Sequence, residues 1–177
     1  YIIYIGGIPI ETSPVHRFRV LTDDGLEWVE AQNLKCGDRV VQSLKQCHHV
    51  GDGDAEYWKD LDDYFNMSVD DFSDSLFTSS VDSWKVFIQT VFKQFGYKTV
   101  SGNTFIYFYR DNFAYSTGRI LSALGISTEY INKKLFIKGA ISLDRFIDLV
   151  GNDIYQDVND GFTLSSMHDE PLSAMYV

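Results

Sequence analysis

The sequence predicts an α+β protein built from two unlike parts. Three observations carry this expectation. Residues 1–50 read as short β-strands separated by Gly-Gly and Asp-Gly turns. Residues 81–150 read in the order helix, hairpin, helix, hairpin, helix. Between the two, residues 51–83 carry one Lys against ten Asp and Glu, a composition shift that marks a boundary. The expected divisions are an all-β domain at 1–50, an acidic linker at 51–68, a second domain at 69–151 and an acidic tail at 152–177.

Ile2 to Ile10 is β-branched and interrupted by Gly6-Gly7, which reads as a hairpin. Phe18 to Leu21 alternates, Asp23-Asp24-Gly25 turns the chain, and Leu26 to Val29 returns. Residues 32–38 read as a loop, and Arg39 to Leu44 as a further strand. Gly51-Asp52-Gly53-Asp54 reads as flexible linker, and residues 61–65 and 69–72 as short helical pieces with solvated acidic faces. Val81, Trp84, Phe87, Ile88, Val91, Phe92 and Phe95 follow helical spacing. Ser80 or Asp82 caps that helix, and Gly96 ends it at the C′ position. A hairpin follows, from Tyr97 to Tyr109 around Ser101-Gly102-Asn103. Ala114 to Leu124 is the second helix, ended by Gly125. Tyr130 to Ile137 is the second hairpin, and Ile141 to Val150 the third helix, ended by Gly151.

The chain of 177 residues is long enough to bury a core. No apolar run approaches the ~20 residues of a membrane span, so no membrane partner is expected. Tyr1 to Ile5 reads as a strand and not as a signal peptide. With Tyr first, the chain is expected to begin inside a longer gene product. Two cysteines are too few for a disulfide scaffold, which points to a reducing, cytoplasmic setting. Cys36 with Cys47-His48-His49 fits no common zinc spacing and reads as surface loop, so neither metal nor cofactor is expected. The net charge of −10 argues at first against nucleic acid. Residues 84–150, however, carry nine Lys and Arg against four Asp and Glu, and are also rich in aromatic side chains. A basic, aromatic module lies inside an acidic chain.

Ser13-Pro14-Val15-His16-Arg17-Phe18, then Trp28-Val29-Glu30-Ala31, then Leu34-Lys35-Cys36-Gly37-Asp38-Arg39-Val40 resembles the interior histidine region of inteins over residues 3–41. The resemblance implies a partial Hint-type splicing domain that breaks a peptide bond of its own polypeptide. Such chemistry needs a nucleophile beside the scissile carbonyl, a proton for the leaving amide nitrogen, and a stabilised oxyanion. His16 stands at the family's proton-donating histidine. Ser13 stands where the family usually has Thr, and its hydroxyl would hydrogen-bond the scissile peptide. The departures are two. Position 1 is Tyr, not the Cys or Ser nucleophile, and there is no His-Asn pair. Residues 162–169 end in His168-Asp169, a poor echo of that ending. The expectation is a split-intein piece or a trimmed chain that needs complementary segments carrying the nucleophile and the His-Asn.

Phe87-Ile88-Gln89-Thr90-Val91-Phe92-Lys93-Gln94-Phe95-Gly96 resembles the second motif of LAGLIDADG homing endonucleases. The segments Gly118 to Ser127, Leu135 to Gly139 and Phe146-Ile147 extend the resemblance over residues 69–151 as one αββαββα half. The family holds a catalytic metal on an acidic side chain just before the motif's last glycine. Phe95 occupies that place here and Lys93 stands nearby, so nuclease activity is expected to be lost. The resemblance implies that the hairpins read the major groove of double-stranded DNA. The candidates are Lys98, Tyr107, Tyr109 and Arg110 on the first hairpin, and Lys133, Lys134 and Lys138 on the second. Three readings therefore stand: an intein fragment in autocatalytic protein splicing, a non-cleaving DNA-binding relic, and a nuclease using acidic residues not yet placed.

Overall fold

The computed structural model describes residues 1–41 and 76–158. Cys47-His48-His49, the acidic linker, the helical pieces expected at 61–65 and 69–72, and His168-Asp169 lie outside the described residues. The molecule is an α+β protein with three antiparallel sheets among the described residues.

Strands β1 (Ile2–Ile5) and β2 (Ile8–Glu11) form the first hairpin. Gly6 and Gly7 have φ of +58° and +77°, the two left-handed residues that a type I′ turn requires. Strands β3 (Arg17–Thr22), β4 (Gly25–Glu30) and β5 (Arg39–Val40) form a second sheet with β3 in the middle. The loop expected after β4 begins as a 3₁₀ turn at Ala31–Asn33. The last strand was expected to reach Leu44. Its described part pairs Val20 with Val40 and Leu21 with Arg39, and the Val41 N–H donates to the Arg19 carbonyl at 2.8 Å, while residues 42–44 lie outside the described residues.

The second half begins with α1 (Val81–Phe95). Ser80 is its cap: the Ser80 hydroxyl accepts the Ser83 N–H at 3.1 Å. Asp82 lies in the first turn, where its charge suits the helix dipole. Gly96 is not the left-handed C′ residue expected. Its φ is −77° and it opens β6 (Gly96–Lys98). Glycine is needed there for room, since a Cβ would fall on the ring and carbonyl of Phe92. β7 (Thr104–Tyr107) completes that hairpin, and α2 (Asp111–Ala123) starts three residues before the expected Ala114. β8 (Thr128–Ile131) and β9 (Lys134–Ile137) follow, joined by Asn132 and Lys133 at φ of +48° and +65°. α3 (Ala140–Val150) follows, and the expected tail opens with a short helix, α4 (Asn152–Asp157).

The two hairpins form one sheet in the order β6-β7-β9-β8. Because side chains alternate along each strand, register assigns every residue a face. Gly96, Lys98, Thr104, Ile106, Leu135 and Ile137 share one face, and the apolar members join the main core. That core holds Phe87, Ile88 and Phe92 of α1, Ile120 and Leu121 of α2, and Phe146 of α3. Phe92 meets Phe146 edge-on, with centroids 4.9 Å apart, and stacks on Tyr155 of α4 at 6.0 Å. Tyr97, Phe105, Tyr107, Lys134 and Phe136 share the opposite face. Tyr97, Phe105 and Phe136 run across three strands as neighbouring rings, 5.4 and 5.2 Å apart.

The first hairpin packs on this second module. Ile8 belongs to the same core as the three helices. The Tyr130 N–H donates to the Gly6 carbonyl at 2.7 Å, and Arg119 Nη2 donates to the Pro9 carbonyl at 2.8 Å. A Cβ at Gly7 would strike the Tyr130 carbonyl, so glycine serves both the turn and the approach. Among the described residues no helix is long and apolar enough to cross a membrane.

Gly96→Ala is expected to lower stability by about 1–3 kcal/mol, the usual cost of forcing a group into a packed site. Urea unfolding of the two proteins measures it.

Candidate functional site

Ser13 and His16 are the two ends of one tight turn. The His16 N–H donates to the Ser13 carbonyl at 3.1 Å, with Pro14 presetting the first bend. The 3₁₀ turn clamps this loop from below. The Ala31 N–H donates to the His16 carbonyl at 2.8 Å, and the Gln32 N–H to the Pro14 carbonyl at 3.0 Å. Ala31 is buried, so the clamp is anchored in the protein. The imidazole of His16 meets the Phe18 ring edge-on at 5.0 Å and is otherwise exposed, as is Ser13. No hydrogen bond joins the Ser13 hydroxyl to the imidazole. The turn brings the two residues together through the backbone and leaves both side chains open to solvent.

The start of β1 lies beside this turn. The Thr12 N–H donates to the Tyr1 carbonyl at 2.9 Å, continuing the β1–β2 ladder by one residue. Thr12 is the immediate neighbour of Ser13. An open cleft of about 450 Å³ lies between the first hairpin, the β3 sheet and α2, lined in part by Ile5, Ile10, Phe18, Val40 and Arg119.

The seven DNA-contact candidates divide. Tyr107 and Lys134 are register partners on the face away from the helices. Tyr109 joins them through its ring, 5.2 Å from that of Tyr107. The Phe108 N–H donates to the Lys133 carbonyl at 2.8 Å, which ties the turn of the second hairpin to the 107–110 segment. Tyr107, Tyr109, Arg110, Lys133 and Lys134 thus gather at one end of the sheet. Lys98 and Lys138 lie at the opposite end, as the Lys98–Thr104 and Tyr107–Lys134 pairs show. Lys98 must be corrected as a contact candidate. It alternates with Tyr97, faces the helices and is 8% exposed. Its ammonium sits 5.1 Å over the Tyr155 ring and donates to the Gln156 carbonyl at 3.4 Å. Lys138 is exposed but pairs with Glu129 at 2.8 Å, which offsets its charge.

Asp111 organises the populated end of the sheet. Its Oδ1 accepts the Tyr130 hydroxyl at 2.7 Å and forms an ion pair with Lys133. The Lys133 hydrogen bond, then that of Tyr130, holds the Asp111 carboxyl below the usual aspartate value. Burial, followed by the bond to Asp111, pushes the Tyr130 phenol up. The network pins Lys133, whose left-handed backbone is unusual for a side-chain-bearing residue. Neither Asp111 nor Tyr130 carried a local signal of this role, because the contact spans the second helix. Beside them Arg110 places its guanidinium 5.6 Å over the Phe113 ring.

No model of a known protein family matches the sequence, and no curated protein is significantly similar to it.

Asp111 and Lys133 side chains are each about half exposed, so screening holds their pair to about 0.2–1 kcal/mol. A lowered folded-state pKa adds stability above the ordinary aspartate value and loses it as pH falls through the folded value. Asp111→Asn is therefore expected to destabilise the protein at neutral pH. The gap should begin to narrow as pH falls below the ordinary aspartate value and close only below the lower, folded-state value, where folded Asp111 also becomes neutral. Urea unfolding of both proteins across a pH series measures this.

Proposed function

We propose that residues 1–41 act in autocatalytic protein splicing, as the histidine-bearing part of an intein-type domain completed by another polypeptide segment. The observation that carries this reading is the clamped Ser13–His16 turn beside the Tyr1 backbone. In the proposed step a thiol or hydroxyl of the complementary segment attacks the scissile carbonyl. The new C–S or C–O bond forms as the nucleophile releases its proton to solvent, the C–N bond breaks, and His16 gives a proton to the departing amide nitrogen and regains one from solvent. Ser13 positions that peptide by a hydrogen bond from its hydroxyl. The hydrogen-bonded backbone around both residues favours this role, because it fixes where the imidazole and hydroxyl leave the chain.

Exposed apolar side chains support a need for completion. Ile2 and Tyr4 stand out from β1, and Leu21, Leu26 and Trp28 from one face of the β3–β4 pair. Cross-strand register places Leu21 opposite Leu26 and Arg19 opposite Trp28, so they form a patch and not scattered points. A complementary intein segment carrying the nucleophile, and one carrying the His-Asn, are the proposed partners. A protein-splicing setting of this kind is proposed to be cytoplasmic.

A second reading rests on the cluster of Tyr107, Tyr109, Arg110, Lys133 and Lys134. In it, residues 76–158 are a homing-endonuclease-like half that keeps a nucleic-acid surface and has lost cleavage. Phe95 at the end of α1 supplies an aromatic ring where that chemistry would need a carboxylate.

Complementing the chain with segments that supply the nucleophile tests the first reading. His16→Ala should slow N-terminal scission by about 10²–10⁴-fold, the usual worth of a positioned general acid. Thioester trapping with a thiol measures the rate, and an unchanged rate would sink the proposal. For the second reading, duplex DNA binding by the full chain should weaken as salt rises. Arg110→Ala should reduce the log–log salt slope by about 1. Absence of salt-dependent binding in an electrophoretic titration would eliminate it.

A further inference from the structure

We propose that the pocket between the C-terminal end of α1 and the β7–α2 junction takes one unstacked nucleotide, base inside and phosphate on Arg110. The inference rests on the nucleic-acid reading of this end of the sheet and names the form of nucleic acid it would hold.

The cavity measures about 180 Å³. That is below the ~300–1,000 Å³ of pockets for drug-sized ligands, so it suits a single ring system and not a whole cofactor. Val91, Phe95, Phe108, Phe113, Tyr107 and Tyr109 form its walls. Five of these six are aromatic, which fits a flat π-face better than an alkyl chain. Tyr109 stands nearly perpendicular to both Phe95 and Tyr107, with centroids 6.4 and 5.2 Å away. It is 70% exposed, so one of its faces is open to a stacking partner.

Arg110 is the charged member of the lining and lies 5.6 Å over the Phe113 ring. Its planar guanidinium suits bidentate phosphate contact. The adjacent Asp111 would oppose a phosphate if its charge were uncompensated. It is instead tied to Lys133 and to the Tyr130 hydroxyl. With Lys133 offsetting Asp111, Arg110 supplies the net positive charge at the pocket, and Lys134 lies on the same end of the sheet with its ammonium 5.4 Å over the Phe105 ring.

An aromatic pocket with a cation at its edge recognises a base and its phosphate together. A base stacked within a duplex cannot enter it. Entry requires a nucleotide that has left the stack, which is cheapest in a single strand. The geometry therefore favours single-stranded over double-stranded nucleic acid at this end of the sheet.

The test uses the full chain and two kinds of probe. Adenosine 5′-monophosphate is titrated while aromatic side-chain resonances are followed by NMR. Binding of a short oligodeoxythymidylate, and of a duplex of equal length, is followed by fluorescence anisotropy. AMP should shift the rings of Phe95, Tyr109 and Phe113. The single strand should bind about tenfold tighter than the duplex, in line with the stacking of a base on an aromatic ring. Tyr109→Ala, a substitution at an exposed position, should cost about tenfold on the single strand and a clearly smaller factor on the duplex, which cannot place a base in the pocket. The proposal is overturned if AMP moves none of these rings, or if benzoate moves them equally well. It is also overturned if Tyr109→Ala weakens neither polymer or both alike. AMP binding without binding of either polymer would keep the pocket and discard the extended nucleic-acid surface. Duplex binding without an AMP response would do the reverse.

Discussion

The pairing of β7 with β9 is the constraint on which the rest of the second module depends. It joins two hairpins separated in sequence by α2 into one sheet. The register Phe105–Phe136, Ile106–Leu135 and Tyr107–Lys134 decides which side chains face the helices. A slip of one residue would exchange the two faces, placing Lys134 in the core and Leu135 in solvent. The depth of burial of Ile106 and Leu135 resists that slip. Sorting by face also decides on which side of the sheet each lysine lies. Lys134 emerges on the aromatic side, while Lys98 is turned inward to Tyr155 and Gln156.

Tyr130 links the two halves of the chain. Its backbone N–H holds the Gly6 turn of the first hairpin, and its hydroxyl holds Asp111 at the start of α2. Ile8 then fixes the same hairpin through burial in the core of the helices. The strand that begins beside Ser13 is thus anchored, at its far end, to the module that carries the basic and aromatic cluster. A loop beside a free hairpin would lack a fixed geometry. Here the backbone of that loop is held on both sides, by Ala31 and Gln32 on one and by the β1–β2 ladder on the other.

The features legible in the sequence are those set by neighbours in the chain. Gly6-Gly7 and Asn132-Lys133 marked their turns because two successive left-handed residues suit few side chains. The apolar spacing from Val81 to Phe95 marked α1, because burial on one face imposes that period. The features that escaped are set across space. Lys98 looked like a surface cation, and only pairing with β7 shows it to be an inner-face residue. Gly96 looked like a helix cap by its position, whereas the Phe92 ring is what excludes a side chain there. The start of α2 at Asp111 followed from contacts to Tyr130 and Lys133, nearly twenty residues onward.

Within the candidate sites the same division holds, and it separates chemistry from placement. Ser13 and His16 stood out in the sequence through the resemblance of their segment to a known motif, whereas the tight turn that joins them is visible only in the fold. The aromatic pocket was not legible, because Phe95 ends α1, Tyr109 lies between β7 and α2, and Phe113 lies in α2, and the three share no spacing. Phe95 illustrates the difference. In the sequence it marks a place where a metal-holding carboxylate is missing, and so reads as a loss. In the fold its ring meets Tyr109 edge-on and lines a cavity that Arg110 also lines. A surface that cannot stabilise an oxyanion through a metal can still bind a flat ring, since stacking needs apolar area and no bound charge. The ring that offers a metal no ligand at this position is therefore one wall of the aromatic cavity.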